Sequence, residues 1–389
     1  MANTLKPVAF LPWLELHEEV KVGKVVFWPY EKMKDRNLPT EHPPETLDKY
    51  AGAFRTHNDE PAPVTCVSYK TDSPPDERLT RAESREFLRA QHILFAAAYV
   101  GAIKQPYLYD FVPTCPSAEH FTLYHFPRKP EDRIKGHFGT DLAVGIIDGF
   151  RIKPPDHLHR YAFRLLDPLL LALSRTIMLP QKRSVSVWRT LEWFFYSQTT
   201  HGHFTEESRL IMLCMAIDAL IPNCKGCQDF VKHVGQTTHS LKLPNRWKRK
   251  YKLNHRIITV PCSVLEAWAS DFYETRNALV HYTPGENTSV IWRRMRLGRK
   301  LSGFPHDILA KYAWFECLWN ELDQIGAIPP QPADRTGKPG FAKGRIDRAF
   351  RWHMDWQWSL DSMREWWRDF LTGRILPPHW EWNPRPPAE

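Results

Sequence analysis

The chain has 389 residues, of which 42% are hydrophobic and 25% charged, a composition typical of a globular protein with roughly two or three domains. Its formal net charge of +9 suits a polyanionic partner such as RNA, because lysine and arginine release counterions from phosphates, but charge alone is equally compatible with a protein that binds no polyanion. The seven cysteines are odd in number and scattered, which argues for reduced thiols in a cytosol and against a disulfide framework.

The first part of the chain, residues 1–180, has the pattern of a mixed α/β domain. It begins without the basic segment and apolar core of a signal peptide, and its most apolar stretch, 165–179, is too short and too polar to span a bilayer. We therefore expect a cytoplasmic protein without a membrane segment. Periodicity and residue type predict strands at 8–16, 20–28 with a bend or bulge at Gly23, 63–70, 121–126 and 142–152, helices at 79–102 and 154–178, and a long loop at 31–62.

The second part, residues 185–326, is predicted to be an antiparallel α-helical bundle. Its clearest helix is 205–220, for which Thr205 is the predicted N-cap. A further pattern, 263–281, ends before Pro284 and Gly285. Additional helices are predicted at 185–197, 226–238 and 306–325, with a basic connector at 242–256.

The last part, residues 327–389, is predicted to be a Pro- and Gly-rich linker followed by a Trp-rich C-terminal extension. We favour packing of these tryptophans on the bundle or on a second subunit over stacking on bases, because large aromatic side chains dominate cores and interfaces. The expected fold class is therefore α+β, with an N-terminal mixed α/β domain, a helical bundle and this extension.

Side chains with useful chemistry gather at the end of the predicted helix 263–281. Tyr273, Asn277 and His281 are four residues apart and share one helix face, with Arg276 beside it. A neutral imidazole can remove the proton of a ribose 2′-hydroxyl, and a guanidinium matches the negative charge that develops on the phosphate. The alternative is a helix C-terminus where basic side chains interact with the helix dipole.

The stretch 272–281 resembles the signature of the HEPN superfamily, an Arg-x4–6-His motif that often has asparagine directly after the arginine. Helix 207–220 is similar to the helix that precedes the motif in that family, and Asp218 occupies the place of an acidic residue near its C-terminal end, where glutamate is common. This resemblance covers residues 185–326. Residues 11–14 and the mixed α/β region after them are similar to the ApeA-like branch, which is associated with prokaryotic anti-phage defence.

The resemblance implies a metal-independent endoribonuclease without a cofactor, which produces a 2′,3′-cyclic phosphate and a 5′-hydroxyl as an anti-phage or abortive-infection effector. It implies that Arg276 and His281 are the catalytic pair, that Asn277 supports the site and that Asp218 orients Arg276, with Tyr273 as a further supporting residue. It also implies a homodimer with a composite cleft, in which one His281 acts as base and the other as acid. A phage-derived or host trigger would be sensed by the N-terminal domain.

Two basic segments are candidate RNA contacts. The run 246–252 mixes basic and aromatic residues, which suits an RNA-binding surface and a solvated loop equally well; its candidate residues are Arg246, Lys248 and Arg249. Arg293 and Arg294 follow the motif helix closely, which favours a role in guiding RNA to the site.

Cys224 and Cys227 have the Cys-x2-Cys spacing of half a zinc site. We favour plain thiols, because a zinc site usually needs two close pairs of ligands and no second close pair is apparent. The alternative to an enzyme is a non-catalytic helical module that binds RNA or protein, or an antitoxin-like or scaffold partner. Cleavage of RNA in EDTA by the wild type, but not by His281→Ala or Arg276→Ala, distinguishes the enzyme from both.

Overall fold

The chain divides into two compact units in the computed structural model. The first comprises residues 1–184 with 198–204, and the second comprises 185–197 with 205–389. Among the helices that the structure describes, none is both long and apolar enough to cross a membrane. The described residues are 4–33, 44–71, 79–103, 116–125, 134–138, 140–144, 151–154, 161–162, 165, 167–199, 204–238, 245, 247–253, 256–281, 296–297, 300–301 and 306–328.

The first unit is of mixed α and β structure around a seven-stranded sheet with antiparallel pairing. Its strands are β1 (Thr4–Pro12), β2 (Leu14–Glu15), β3 (Val20–Val22), β4 (Val25–Pro29), β5 (Val64–Thr71), β6 (Leu123–His125), β7 (Ile134–Phe138), β8 (Thr140–Val144) and β9 (Tyr161–Ala162). The sheet order is β3-β4-β5-β1-β6-β7-β8, and β2 pairs separately with β9 in parallel. The α+β class is thus confirmed.

Helices cover the sheet and fill the connections of this unit. They are α1 (Tyr30–Met33), α2 (Pro44–Ala51), α3 (Arg81–Ile103) and α4 (Asp167–Thr176), with a 3-10 helix at Ala118–Phe121. The long helix α3 packs on β3, β4 and α4. Eight consecutive residues of α3, from Ile93 to Val100, are all buried, which explains why its apolar pattern was readable.

Several predictions for the first unit need correction. The predicted loop 31–62 contains α1 and α2, and the predicted helix 154–178 begins only at Asp167, after strand β9. Pro168 lies in the first turn of α4, where proline is tolerated. The predicted strand 121–126 is shorter and follows the 3-10 helix. Of the predicted strand 142–152, β8 ends at Val144, residues 145–150 lie outside the described ranges, and Ile152 forms an isolated bridge to Phe54.

Trp13 interrupts the predicted strand 8–16 between β1 and β2. Its φ is +68°, a left-handed conformation that bulky residues rarely adopt. The indole Nε1 donates a hydrogen bond to the carbonyl oxygen of Arg55 at 2.8 Å, and the ring packs edge-on against Phe54 and Tyr124. Burial of this large ring and its satisfied donor offset the cost of the backbone conformation.

Glu86 on α3 fixes the tight turn between β3 and β4. Its Oε1 accepts a hydrogen bond from the backbone N–H of Lys24 at 3.0 Å, and its Oε2 accepts one from the Tyr69 hydroxyl at 2.8 Å. Gly23 is required in this turn, because its φ is +61° and a Cβ there would lie 2.7 Å from Oε1 of Glu86. The bend predicted at Gly23 is confirmed as this turn.

We expect Glu86→Ala to lower the free energy of unfolding by about 1–3 kcal/mol, because the turn amide and the hydroxyl of the buried Tyr69 lose their acceptor. The measurement is unfolding in urea, monitored by hydrogen exchange of the backbone amides of β3 and β4. Glu86→Gln is the matched control, since the amide keeps one acceptor oxygen and can donate to the Tyr69 hydroxyl. Equal losses for the alanine and glutamine variants would contradict this interpretation.

The second unit contains helices and short antiparallel strand pairs. Its elements are α5 (Gln181–Ser197), of which the first residues belong to the first unit, α6 (Glu206–Asp218), α7 (Cys227–Thr237), β10 (Trp247–Leu253), β11 (Arg256–Cys262), α8 (Val264–Val280), β12 (Arg296–Leu297), β13 (Lys300–Leu301) and α9 (His306–Gln324). The five predicted helices are confirmed, although α5 begins four residues earlier than predicted. Helix α8 packs against α6, α7 and α9.

Local capping signals explain where two of these helices begin. The Thr205 side chain accepts a hydrogen bond from the backbone N–H of Ser208 at the start of α6, as predicted. Ser263 and Glu266 form a capping box at the start of α8, with the Ser263 side chain accepting from the N–H of Glu266 and the Glu266 carboxylate accepting from the N–H of Ser263.

The prediction of a basic connector at 242–256 is wrong for residues 247–253, because these residues form strand β10. This strand pairs with β11 in an antiparallel hairpin, from Trp247 opposite Cys262 to Leu253 opposite Arg256. The aromatic residues Trp247 and Tyr251 in β10 and the β-branched run 257–260 in β11 favour strands, a signal that the high density of basic residues obscured. The second unit is therefore not purely helical. From residue 329 onwards, the predicted linker and Trp-rich extension lie outside the described residues.

Two buried tryptophans connect the helices of the second unit. The Trp314 ring on α9 stacks on Phe194 of α5 at a centroid distance of 3.4 Å, and its Nε1 donates to Thr190 Oγ1 at 2.9 Å. Thr190 in turn donates to the carbonyl oxygen of Ala216 on α6 at 2.5 Å. This chain of contacts joins α5, α6 and α9.

Trp268 makes the corresponding connection between α8 and α9. Its Nε1 donates to Nδ1 of the fully buried His306 at 3.1 Å. Because Nδ1 is the acceptor, the proton of a neutral His306 ring is on Nε2, which lies 3.4 Å from the Asp271 carboxylate. The helix that carries the candidate catalytic residues is thus fixed along its length by buried contacts.

Candidate active site at the end of α8

His281 caps the C-terminal end of α8. Its backbone leaves the helical conformation, with φ −102° and ψ 24°, and its N–H donates to the carbonyl oxygen of Asn277 at 2.9 Å. The side chain is exposed, and the neighbouring Val280 is 45% exposed despite its apolar side chain. An imidazole at this position is accessible to a large substrate such as a nucleic acid strand.

Arg276 is held by two neighbours on the same helix. Its Nη1 donates to Oδ1 of Asn277 at 2.8 Å, and its guanidinium carbon lies 5.6 Å from the centroid of the Tyr273 ring. This distance is within the range of a cation–π contact. Tyr273 is only 9% exposed, so its ring offers a fixed surface for the guanidinium. The structure therefore brings together Arg276, Asn277 and Tyr273.

Asp218 is the last residue of α6 and lies within electrostatic reach of Tyr273. Among the ion pairs of the described residues, none joins Asp218 to Arg276. Burial, together with the negative charge of Asp218, raises the pKa of Tyr273, while the positive charge of Arg276 lowers it. Both charges also act on the buried Cys214. Asp218 thus contributes to the electrostatic surroundings of both Tyr273 and the Cys224 thiol.

The candidate RNA-binding residues are only partly within the described ranges. Lys248 and Arg249 lie in β10, opposite Pro261 and Val260 of β11. Strand β11 leads directly through Ser263 into α8. Arg246, Arg293 and Arg294 lie outside the described residues.

Sequence reasoning singled out Cys224 and Cys227 but missed that Cys214 is within electrostatic reach of both and of Asp218. Cys214 and Asp218 are four residues apart on α6 and share a helix face, which was the available signal. Burial, followed by the nearby carboxylate of Asp218, raises the pKa of Cys224 to about 12. In the described part of the chain, no group of three or more histidine, cysteine, aspartate or glutamate side chains is arranged to hold a metal ion.

The arrangement at the end of α8 offers two kinds of chemistry. The exposed imidazole of His281 can act as a proton acceptor or donor, and the oriented guanidinium of Arg276 can bind a phosphate. Neither depends on a buried carboxylate pair. No protein-family model, curated protein or solved structure matches the chain.

Proposed function

We propose that the chain is a metal-independent endoribonuclease of the HEPN type. The observation that supports it best is the guanidinium of Arg276, held by Asn277 and Tyr273 on the last turns of the helix that His281 caps with an exposed side chain. Transesterification of RNA requires an accessible base and a cation that stabilises the phosphate oxygens. We also propose that the helices of the second unit have the arrangement of a HEPN domain.

In the proposed reaction, His281 removes the proton of a ribose 2′-hydroxyl. The 2′-oxygen attacks the adjacent phosphorus, and the bond from phosphorus to the 5′-oxygen breaks, which leaves a 2′,3′-cyclic phosphate. Arg276 stabilises the negative charge on the phosphate oxygens. The departing 5′-oxygen needs a proton, which a second imidazole can donate.

The second imidazole is supplied, in this proposal, by His281 of another copy of the chain. A homodimer with a composite cleft would place one histidine as base and the other as acid, and the exposed Val280 beside His281 provides apolar surface for such a contact. RNA contacts would come from Lys248, Arg249 and the other basic candidates. The biological role proposed is a cytoplasmic anti-phage effector, whose first unit senses a phage-derived or host trigger.

The test is cleavage of total RNA by the full-length protein in excess EDTA. We expect the wild type to produce fragments with 2′,3′-cyclic phosphate ends, detected by mass spectrometry, and His281→Ala and Arg276→Ala to produce none. His57→Ala is a matched control, because His57 is also exposed but lies in the first unit. Its fragments should match those of the wild type.

Other outcomes would exclude this mechanism. Loss of wild-type cleavage in EDTA, or continued cleavage by both His281→Ala and Arg276→Ala, would contradict the proposed chemistry. RNA binding without cleavage would indicate a non-catalytic RNA-binding module instead. A stable complex with another protein and no cleavage would indicate an antitoxin-like or scaffold partner.

A further inference from the structure

The β10–β11 hairpin has an inner face against the protein and an outer face that is open to solvent. On β11, Cys262 is buried, and Val260 and Ile258 are half-buried. The residues between them, Pro261 and Thr259, are exposed. Alternate residues of a strand lie on opposite faces of a sheet, so the exposures on β11 identify both faces. The outer face is therefore accessible to a large partner.

The pairing of the two strands places three lysines of β10 on the outer face. It runs through all seven residues of β10 without a shift in register, and directly opposed residues of an antiparallel pair belong to the same face. Lys248 is opposite the exposed Pro261. Lys250 is opposite the exposed Thr259. Lys252 is two residues further along and is on the same face by alternation.

The other basic residue of β10 and its two aromatic residues occupy inner positions. Arg249 is opposite the half-buried Val260, and Trp247 and Tyr251 are each two residues from Arg249. The aromatic positions are thus not on the face of the lysines, and base stacking of the kind seen in many proteins that bind single strands is not available there. Recognition at the outer face then relies on charge, which does not distinguish one base from another.

The outer face carries a regular row of positive charge. Positions two apart in an antiparallel strand are separated by about 6.8 Å, so the three lysine positions cover about 14 Å in a straight line. Neither strand of the hairpin contains an aspartate or glutamate that would neutralise this row. Evenly spaced cations match a polymer with a repeated negative charge, such as the phosphate backbone of RNA, better than they match a compact anion.

We propose that the outer face of the β10–β11 hairpin binds the phosphate backbone of single-stranded RNA through Lys248, Lys250 and Lys252. The assignment rests on the proposed ribonuclease function and narrows its RNA contacts, because Arg249 is on the inner face and is not one of them. Binding releases counterions from the RNA, so the affinity depends strongly on salt and little on base sequence. Since β11 leads into the start of α8, the bound segment is distinct from the one at His281.

Fluorescence anisotropy of a labelled 2′-O-methyl oligonucleotide tests this face in the full-length protein. The probe has no free 2′-hydroxyl and cannot be cleaved by the proposed reaction. The logarithm of the binding constant falls linearly with that of the salt concentration, and we expect this slope to decrease by about 0.7 for each lysine replaced by glutamine. The decrease should reach about 2 in the triple variant Lys248→Gln/Lys250→Gln/Lys252→Gln, with at least about tenfold weaker binding at low salt. An unchanged slope in the triple variant would overturn the proposal.

Arg249→Gln is the matched control for Lys250→Gln. Each variant removes one positive charge, at neighbouring positions of β10 that are on opposite faces of the hairpin. We expect the salt dependence of Arg249→Gln to equal that of the wild type. Equal decreases in the two variants would contradict the assignment to the outer face, because net charge alone would then explain the binding. This pair of single replacements remains decisive if the triple variant does not fold.

Further outcomes separate the RNA-binding face from the proposed reaction and from another kind of partner. Lysine-dependent binding of the oligonucleotide, without cleavage of total RNA in EDTA, would support the outer face and refute the ribonuclease. Cleavage of RNA by the triple variant at the wild-type rate, with an unchanged salt dependence, would support the ribonuclease and refute the outer face. Lysine-dependent binding to phosphatidylserine vesicles, with no binding of the oligonucleotide, would overturn the proposal in favour of a membrane surface.

Discussion

Replacing Arg276 with lysine is expected to slow RNA cleavage by about 100- to 1,000-fold, even though the positive charge is kept. The guanidinium is planar, donates to Asn277 and lies against the Tyr273 ring, and these contacts fix its direction. A lysine ammonium is a point charge on a flexible chain and cannot reproduce both contacts. The measurement is the single-turnover rate on a labelled RNA in EDTA.

The ring of Tyr273 provides the control for this prediction. Tyr273→Phe keeps the aromatic face that contacts Arg276, so we expect a cleavage rate within about threefold of the wild type. If Arg276→Lys cleaves RNA as fast as Tyr273→Phe, charge alone suffices and the oriented guanidinium has no role in the reaction. Circular dichroism of both variants checks that the helices are intact.

Replacing Trp314 with alanine is expected to destabilise the second unit by about 3–5 kcal/mol. The variant loses the stacked contact with Phe194 and leaves a cavity among α5, α6 and α9. It also removes the N–H group that donates to Thr190 Oγ1. The Thr190 hydroxyl in turn donates to the carbonyl oxygen of Ala216 near the end of α6. Because two compact units need not unfold together, the measurement is hydrogen exchange of α6 and α9 in increasing urea.

Trp314→Phe separates the two contributions. The phenyl ring can still stack on Phe194 but has no N–H donor, so we expect a smaller loss of about 1–2 kcal/mol. Exchange in the first unit should be unchanged in both variants. A loss in Trp314→Phe as large as that in Trp314→Ala would show that the Thr190 hydrogen bond, and not the stacking, dominates.

Helix boundaries could be predicted where the deciding contacts are local. Thr205 and Ser263 cap α6 and α8 through hydrogen bonds to residues three positions later, and such signals are visible in the sequence. The conformation of Trp13 depends instead on Arg55, forty-two positions away. The β10–β11 hairpin was obscured because its many basic residues resemble a solvated connector.

The same distinction applies to the candidate site. Tyr273, Arg276 and Asn277 are within one turn of each other, so helical geometry predicts their contacts. The contact of the Cys224 sulfur with the carbonyl oxygen of Gly226, at 3.6 Å, depends instead on the backbone of Asn223 and Gly226 in the turn between two helices. Glycine indicated that a turn was present, but the direction in which the thiol points could not be read from residue types.

Helix α8 has the β10–β11 hairpin at one end and His281 at the other. Its 17 residues correspond to a length of about 25 Å at the rise of an α-helix. An RNA strand that contacted both the basic strand β10 and the imidazole would have to extend over a comparable distance. Dinucleotides are too short for this, so the length of the helix would set a minimum substrate length, and oligonucleotides of increasing size should be cut with increasing efficiency until both ends of α8 are reached.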